Sequence, residues 1–324
     1  MEKMDRPVLK LGSRGSLLAT TQARQVIGLL EPFLGGRKIE LVIITTSGDK
    51  AVDTPLAQSG GKGLFIKEIE SELLAGRIDL AVHSAKDMPT EIPPGLVIAA
   101  TPPRQPPNDV WIGHAGLALA DLPPGSVVGT SSPRRQVQVL ARRADIRVEP
   151  LRGNIDTRLK KVRDGVVAGT LLAQAGLMRA DMLPPESLIL SCEEFIPAAG
   201  QGTLAIEARW DDELVCTLAK SIHHRPTFWA LDFERKIVRA LAGNCMAPIG
   251  VCAQQRGVVD GVAQAGWIVR AIVATPDARH VARGTLLTEN PSAAGLNALL
   301  QPLLDMLQSR GSDEILAQIA TSGH

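Results

Sequence analysis

An α/β architecture, made of two related units with mainly parallel sheets and a small α+β domain after them, is predicted by three features of this sequence. Short apolar runs alternate with longer helical patterns over the first two thirds of the chain. A strand, a small polar turn and a helix start recur at residues 9–23 and 127–140, each with arginine at the turn. The pattern then changes from residue 223 onward. The 324 residues exceed what one hydrophobic core usually serves, so two or three domains are expected.

In the first unit, runs at 8–11, 41–45 and 80–82 read as strands, and those at 17–30 and 66–74 as helices. The proline-rich stretch 101–107 marks a crossing into the second unit, because proline cannot serve an interior ladder. Strands are expected there at 110–113, 126–129, 147–150 and 170–173, with helices beginning near Pro133 and Ile155. Residues 198–202, Ala-Ala-Gly-Gln-Gly, read as a hinge that returns the chain to the first unit ahead of a strand at 204–208. The last part reads as a helix at 228–241, a loop at 243–245, strands around 249–253 and 267–274, and a helix at 293–309.

Composition narrows the function classes. With 45% hydrophobic and 21% charged residues the chain has the balance of a folded globular protein. The apolar runs are too short for a membrane span, and no secretory signal pattern follows Met1. Cys192, Cys216, Cys245 and Cys252 form no CxxC pair, and neither they nor the six histidines have metal-ligand spacing, so a reducing cytoplasm without a metal site is expected. A net charge of +1 and 3% aromatics argue against nucleic acid as a partner. Between residues 134 and 163, however, ten basic residues face three acids, which suits an anion.

Several segments carry residues suited to chemistry. Free N–H groups and the positive helix end at the two recurring turns favour an anion, with Ser132 as N-cap and Pro133 in the first helical position. Either turn alone reads equally well as an ordinary connection; the pair together points to function. Lys86 and Asp87 follow an apolar strand, where ligands collect in open α/β sheets. A surface ion pair is the ordinary reading of such a dipeptide; a buried carboxylate there would instead accept an N–H from a ligand and stabilise developing positive charge. Arg152, Gly153 and Arg158 surround another helix start, where guanidinium forks match carboxylates. Residues 48–63 read as a mobile polar lid or a plain surface loop, and the glycines around Lys62 do not have phosphate-loop spacing. Cys245, in a tight loop, reads by itself as a structural thiol, although the loop leaves room for attachment. His83 reads as structural or as a minor neighbour of the site.

Taken together, residues 12–22, 60–68, 82–94, 129–179 and 234–248 resemble the porphobilinogen deaminase family over nearly the whole chain. The arginine clusters of 129–158 and the group His83, Ser84, Lys86, Asp87 and Pro89 are the most specific. The resemblance implies two domains similar to type II periplasmic binding proteins, with mixed, mainly parallel sheets, and a small third domain. The implied boundaries are 1–104 with 200–221, 105–199 and 222–324. It implies a transferase of tetrapyrrole biosynthesis, a cytoplasmic monomer that joins four porphobilinogen molecules with loss of ammonia and releases hydroxymethylbilane. Elongation would proceed on one dipyrromethane cofactor per chain, thioether-linked to Cys245. Asp87 matches the catalytic aspartate. Lys86, Asp87, Ser132, Arg134, Arg135, Gly153 and Arg158 would hold the cofactor; Arg14, Ser16, Arg152, Arg158 and Arg179 would take the acetate and propionate groups of the substrate; Lys62 and Phe65 are the lid candidates. The chain departs from the family pattern at Asn244, where a glycine is usual, at Pro133, commonly leucine, and at the less charged connection 105–108. Asparagine tolerates a left-handed backbone better than most residues, so the turn before Cys245 can survive. A noncatalytic solute-binding protein is the main rival and would need export; a nucleic-acid binder is the weaker one.

Overall fold

The computed structural model describes residues 6–47, 66–241, 248–259, 262–263 and 265–322. It divides into two compact units, Met1–Gln105 with Gly202–Phe228, and Pro106–Gln201 with Trp229–His324.

The first unit begins with β1 (Val8–Ser13), which enters α1 (Leu17–Leu30) through the short turn 14–16. The buried face of α1, Ala23, Val26 and Leu30, joins Leu9 and Leu11 of β1 in one apolar cluster. Next come β2 (Lys38–Ile43), α2 (Lys67–Leu74), β3 (Leu80–Ser84) and β4 (Leu96–Ala100), with β1 parallel to both β2 and β3.

The second unit contributes β5 (Asp109–Gly113), β6 (Val127–Gly129), α3 (Pro133–Leu140), β7 (Arg147–Glu149), α4 (Ile155–Arg163), β8 (Gly169–Ala173), α5 (Gln174–Arg179) and β9 (Leu188–Ile189). The chain then returns through Gly200 and Gly202, whose φ values of 73° and 86° are the positive backbone angles that glycine allows at little cost. β10 (Leu204–Arg209) completes the first sheet, and α6 (Glu213–Lys220) and α7 (Arg225–Ala240) follow.

The sheets run β2-β1-β3-β10-β4 and β7-β6-β8-β5-β9. In each, the fourth strand alone is antiparallel, so both are mixed and mainly parallel, as the resemblance to type II periplasmic binding proteins leads one to expect. The recurrence seen in the sequence is thus a repeat of topology, β1 and β6 occupying equivalent places.

The C-terminal part forms its own antiparallel sheet from β11 (Ile249–Gln255), β14 (Trp267–Ala274) and β15 (Val281–Thr288), with a two-residue pair β12 (Val258–Val259) and β13 (Val262–Ala263) between the first two. Phe233 and Ile237 of α7 pack with Trp267 and Val269 and with the helices that end the chain, α8 (Ala293–Asn297), α9 (Leu300–Gln308) and α10 (Ser312–Ser322). Two expectations are corrected here. The helix at 293–309 is two helices, because Pro302 lacks an N–H and its ring clashes with the carbonyl four residues back, so α9 restarts with Pro302 in its first turn. β15 and α10 also extend this part beyond the elements expected. Among the described residues, no helix is long and apolar enough to cross a membrane.

Candidate active site

β1 and β3 are parallel neighbours, so the turns after them leave the first sheet at the same edge. One carries Arg14 and Ser16, the other Lys86 and Asp87. Ser16 caps α1 with its Oγ accepting from the Ala19 N–H at 3.3 Å, and Arg14 is half-buried. Gln22, buried on α1, hydrogen-bonds the Ser84 hydroxyl at 3.0 Å and fixes the end of β3. Residues 85–87 then form a single 3₁₀ turn. With three residues per turn, Ala85 and Met88 share a face, and both are buried; Ala85 N–H also donates to Thr203 O at 3.0 Å. This phase leaves Lys86 half-buried and Asp87 exposed. Of the two readings of position 87, a surface group or a buried carboxylate, the turn geometry excludes burial: the carboxylate stands at the surface on a pinned backbone.

Behind this edge His83 is buried, and its Nε2 lies 3.1 Å from Oε2 of Glu207 on β10, in keeping with a structural role. Glu70 of α2 is also buried; burial pushes its carboxyl up, and the Glu207 charge adds to the effect.

In the second sheet β7, β6 and β8 are parallel neighbours. The turns and helix starts after β6 and β7 carry Arg134, Arg135, Arg152 and Arg158, whereas Arg179 lies at the far end of the helix after β8. The turn after β6 is held by Thr130 N–H donating to Glu149 O at 2.8 Å and Ser131 Oγ donating to Leu151 O at 3.1 Å. A Cβ on Gly129 would come within 2.9 Å of Leu151, so this close approach needs glycine. Ser132 occupies the N-cap position of α3 and Pro133 the first helical one, as expected, but the Ser132 side chain accepts no capping hydrogen bond.

Arg134 and Arg135 are buried and share Asp109. Arg134 Nη1 donates to Asp109 Oδ2 at 2.7 Å and to Ile196 O at 2.8 Å, while Arg135 donates to Oδ1 through Nε at 3.2 Å and Nη2 at 2.8 Å. Burial alone would raise the Asp109 carboxyl, but the two guanidinium charges outweigh it and hold the group far below its ordinary 3.8. Burial draws the Arg134 guanidinium below its usual range.

After β7, Gly153 takes φ 113°, and Arg158 braces the turn by donating from Nε to Gly153 O at 2.8 Å. Arg152 and Arg158 are half-buried. After β8, Arg179 ends α5, and burial pushes its guanidinium down to about 10. The rest of the basic run is not one open anion patch. Arg143 pairs with Asp145 and donates to the carbonyls of Leu119, Ala120 and Leu122, and Lys160 pairs with Asp164. A cavity of about 620 Å³ in this unit, lined in part by His114, Leu159, Arg163 and Glu186, adjoins Gly113, which pairs with Gly169 at the start of β8, away from the arginine-bearing turns.

Cys245, Lys62 and Phe65, with Asn244 and the lid segment 48–63, lie outside the described residues. Among the described residues no cluster of histidine, cysteine or acid side chains suits a metal ion. Sequence reading missed Asp109, because its strand was expected to start one residue later; an acid entering a strand beside a nearby arginine pair was the available signal.

Comparisons with known proteins bear on both the aspartate of the first unit and the arginines of the second. Residues 9–217 match the family model described as porphobilinogen deaminase, dipyromethane cofactor binding domain. The chain is 42% identical over 310 residues to the porphobilinogen deaminase of Brevibacillus brevis, covering 96% of this chain and 97% of that one. It is 44% identical over 265 residues to that of Syntrophobacter fumaroxidans, covering 82% and 85%, and 41% identical over 312 residues to that of Thermus thermophilus, covering 96% and 99%. The chain belongs to the porphobilinogen deaminase family. It is a transferase of tetrapyrrole biosynthesis that makes hydroxymethylbilane from porphobilinogen, with dipyrromethane as its cofactor.

The residues present fit that cofactor. Its acetate and propionate groups require cationic forks, and the second unit offers two guanidiniums against a single carboxylate, with Arg134 Nε buried and without an acceptor among the described residues.

Proposed function

We propose that Asp87 is the catalytic group of this transferase, that the arginines of the second sheet hold the carboxylates of cofactor and growing chain, and that Cys245 is the attachment point. The observation that carries the reading is Asp87 itself, an exposed carboxylate on a turn whose neighbours Ala85 and Met88 are both buried. Asp87 accepts a hydrogen bond from the pyrrole N–H of porphobilinogen and stabilises the positive charge that develops on the ring as ammonia leaves. Lys86, next to it, meets a substrate carboxylate. Arg14 and Ser16, on the neighbouring turn of the same edge, orient further carboxylates.

When bound, dipyrromethane supplies the pyrrole end on which the chain is built. Arg134, Arg135, Gly153, Arg158 and Ser132 form its carboxylate-binding frame, while Arg152, Arg158 and Arg179 take those of added pyrroles. Each added ring brings two more carboxylates, which accounts for arginines in the segments after three neighbouring strands rather than one. Lys62 and Phe65 belong to a lid that excludes water. The functional divisions are 1–104 with 200–221 for the aspartate, 105–199 for the arginines and 222–324 for the cysteine. The enzyme works as a cytoplasmic monomer with no nucleic-acid partner.

Intact-mass measurement on protein purified from cells that make porphobilinogen tests this reading. The expected result is an adduct of two pyrrole units on Cys245, absent from Cys245→Ala. Unmodified, inactive wild-type protein would overturn it.

A further inference from the structure

Asp109 opens β5 with no exposed surface and collects donors from three directions. Besides Arg134 and Arg135, Gln201 Nε2 donates to Asp109 Oδ1 at 2.9 Å, and the same amide reaches Pro107 O at 2.6 Å and Asn108 O at 3.3 Å. Gln201 is the last residue of its unit before the chain returns, and Pro107 and Asn108 lie just inside the outgoing boundary. One carboxylate therefore ties the arginine helix α3 to both crossing segments of its own unit.

The charge count is uneven. Two guanidiniums and one carboxylate, all at most 6% exposed, sum to one surplus positive charge. A surplus cation away from water is costly unless an anion completes it, and the repulsion of Arg135 adds to burial in lowering Arg134. Arg134 Nε, buried without an acceptor among the described residues, is a donor that such an anion would satisfy. A carboxylate that served only to neutralise arginines would be matched one to one; here it is shared, and it fixes both forks while cancelling half their charge.

We propose that Asp109 is a positioning residue for carboxylate binding: it holds Arg134 and Arg135 in fixed orientation and leaves one positive charge for an incoming carboxylate of the pyrrole chain. The inference rests on the reading above that these two arginines bind carboxylates of cofactor or chain. Asp109 touches no reacting atom in this scheme. Its removal acts on loading and on apparent affinity rather than on the chemical step.

The test compares Asp109→Asn, Gln201→Met and Arg135→Ala in the full chain, each purified from cells that make porphobilinogen. Intact mass reads the fraction carrying the two-pyrrole adduct, and steady-state kinetics on the loaded fraction separate KM from kcat. For Asp109→Asn the expected result is a loaded fraction several-fold below wild type and a KM raised about tenfold, with kcat of loaded molecules within about twofold. Wild-type loading and KM in Asp109→Asn, alongside an Arg135→Ala protein that fails to load, overturn the role of Asp109 alone. Full loading and wild-type KM in Arg135→Ala remove the arginine reading on which it rests. Should Asp109→Asn not fold, Gln201→Met decides, because it removes one neutral donor and keeps all three charges: a KM raised about threefold with kcat held supports the proposal, and an unchanged KM overturns it.

Discussion

The two five-stranded sheets share a strand order and one antiparallel strand, yet they treat a buried carboxylate in opposite ways. In the first, Glu70 is buried near a second acid, Glu207, and its carboxyl is pushed up. In the second, Asp109 is buried more completely, and two guanidiniums hold its carboxyl far down. Burial works in the same direction at both positions, so the partners decide the sign. The contrast extends to the edges that carry chemistry. The first sheet presents an exposed aspartate on a pinned turn, whereas the second buries Arg134 and Arg135 and orients them through hydrogen bonds. Under the proposed function, similar topology thus serves a group kept available for reaction in one unit and groups kept fixed for recognition in the other.

The largest expected effect tests the exposed member of this pair. Asp87→Ala should lower kcat by about 10²–10³, the loss typical of removing one preorganised electrostatic contact. Because Asp87 is exposed, the melting temperature should move by no more than a degree or two. Steady-state turnover and a thermal melt on the same preparation check both halves, and wild-type turnover would take Asp87 out of the mechanism.

An intermediate effect follows from the opposite carboxyl shifts. Asp109 binds its proton less readily when folded, so its stabilisation is present above its unfolded value of 3.8 and is lost as pH falls through the folded one. Glu70 has the reverse sign: its contribution is present below 4.5 and declines as pH rises through its raised folded value. Glu70→Gln should therefore be more stable than wild type at neutral pH, with the advantage vanishing below 4.5. Denaturant unfolding across that range reads the difference, and a constant offset at every pH would exclude ionisation as its cause.

The smallest effect separates the two helix starts. Ser16→Ala removes a side-chain cap and should cost about 1 kcal/mol in denaturant unfolding. Ser132→Ala removes no cap bond and should fall within about 0.5 kcal/mol. Equal losses would mean that Ser132 contributes to stability in a way its hydrogen bonds do not show.

Local chemistry made much of this legible in the sequence. The start of α3 at Pro133 is readable from cap and proline preferences and that of α4 near Ile155 from the loop before it, and the repeat of strand, turn and helix points to two related units. Strand direction was not readable, because alternation of apolar residues is the same for β10 run either way. Nor was the exposure of Asp87, which depends on a three-residue turn whose phase is set by the burial of Ala85 and Met88. The Asp109 pairing spans 25 residues to Arg134 and 92 to Gln201, separations at which spacing carries no signal. The break at Pro302 is present in the sequence, but the apolar periodicity runs on across it and masks the interruption.

The antiparallel strand of each sheet also fixes an order of events as the chain is made. The second sheet receives its strand first, since β5 precedes every other strand of that sheet, and all five lie within residues 109–189. The first sheet must wait for β10, which inserts between β3 and β4 only after the whole second sheet has emerged. At ribosomal speed that interval is roughly 5–20 s, during which the edges of β3 and β4 that β10 will cover lack their final partner. Of the two five-stranded sheets, the one begun first is therefore finished second, and nascent chains halted before residue 204 would have a complete second sheet and an incomplete first one.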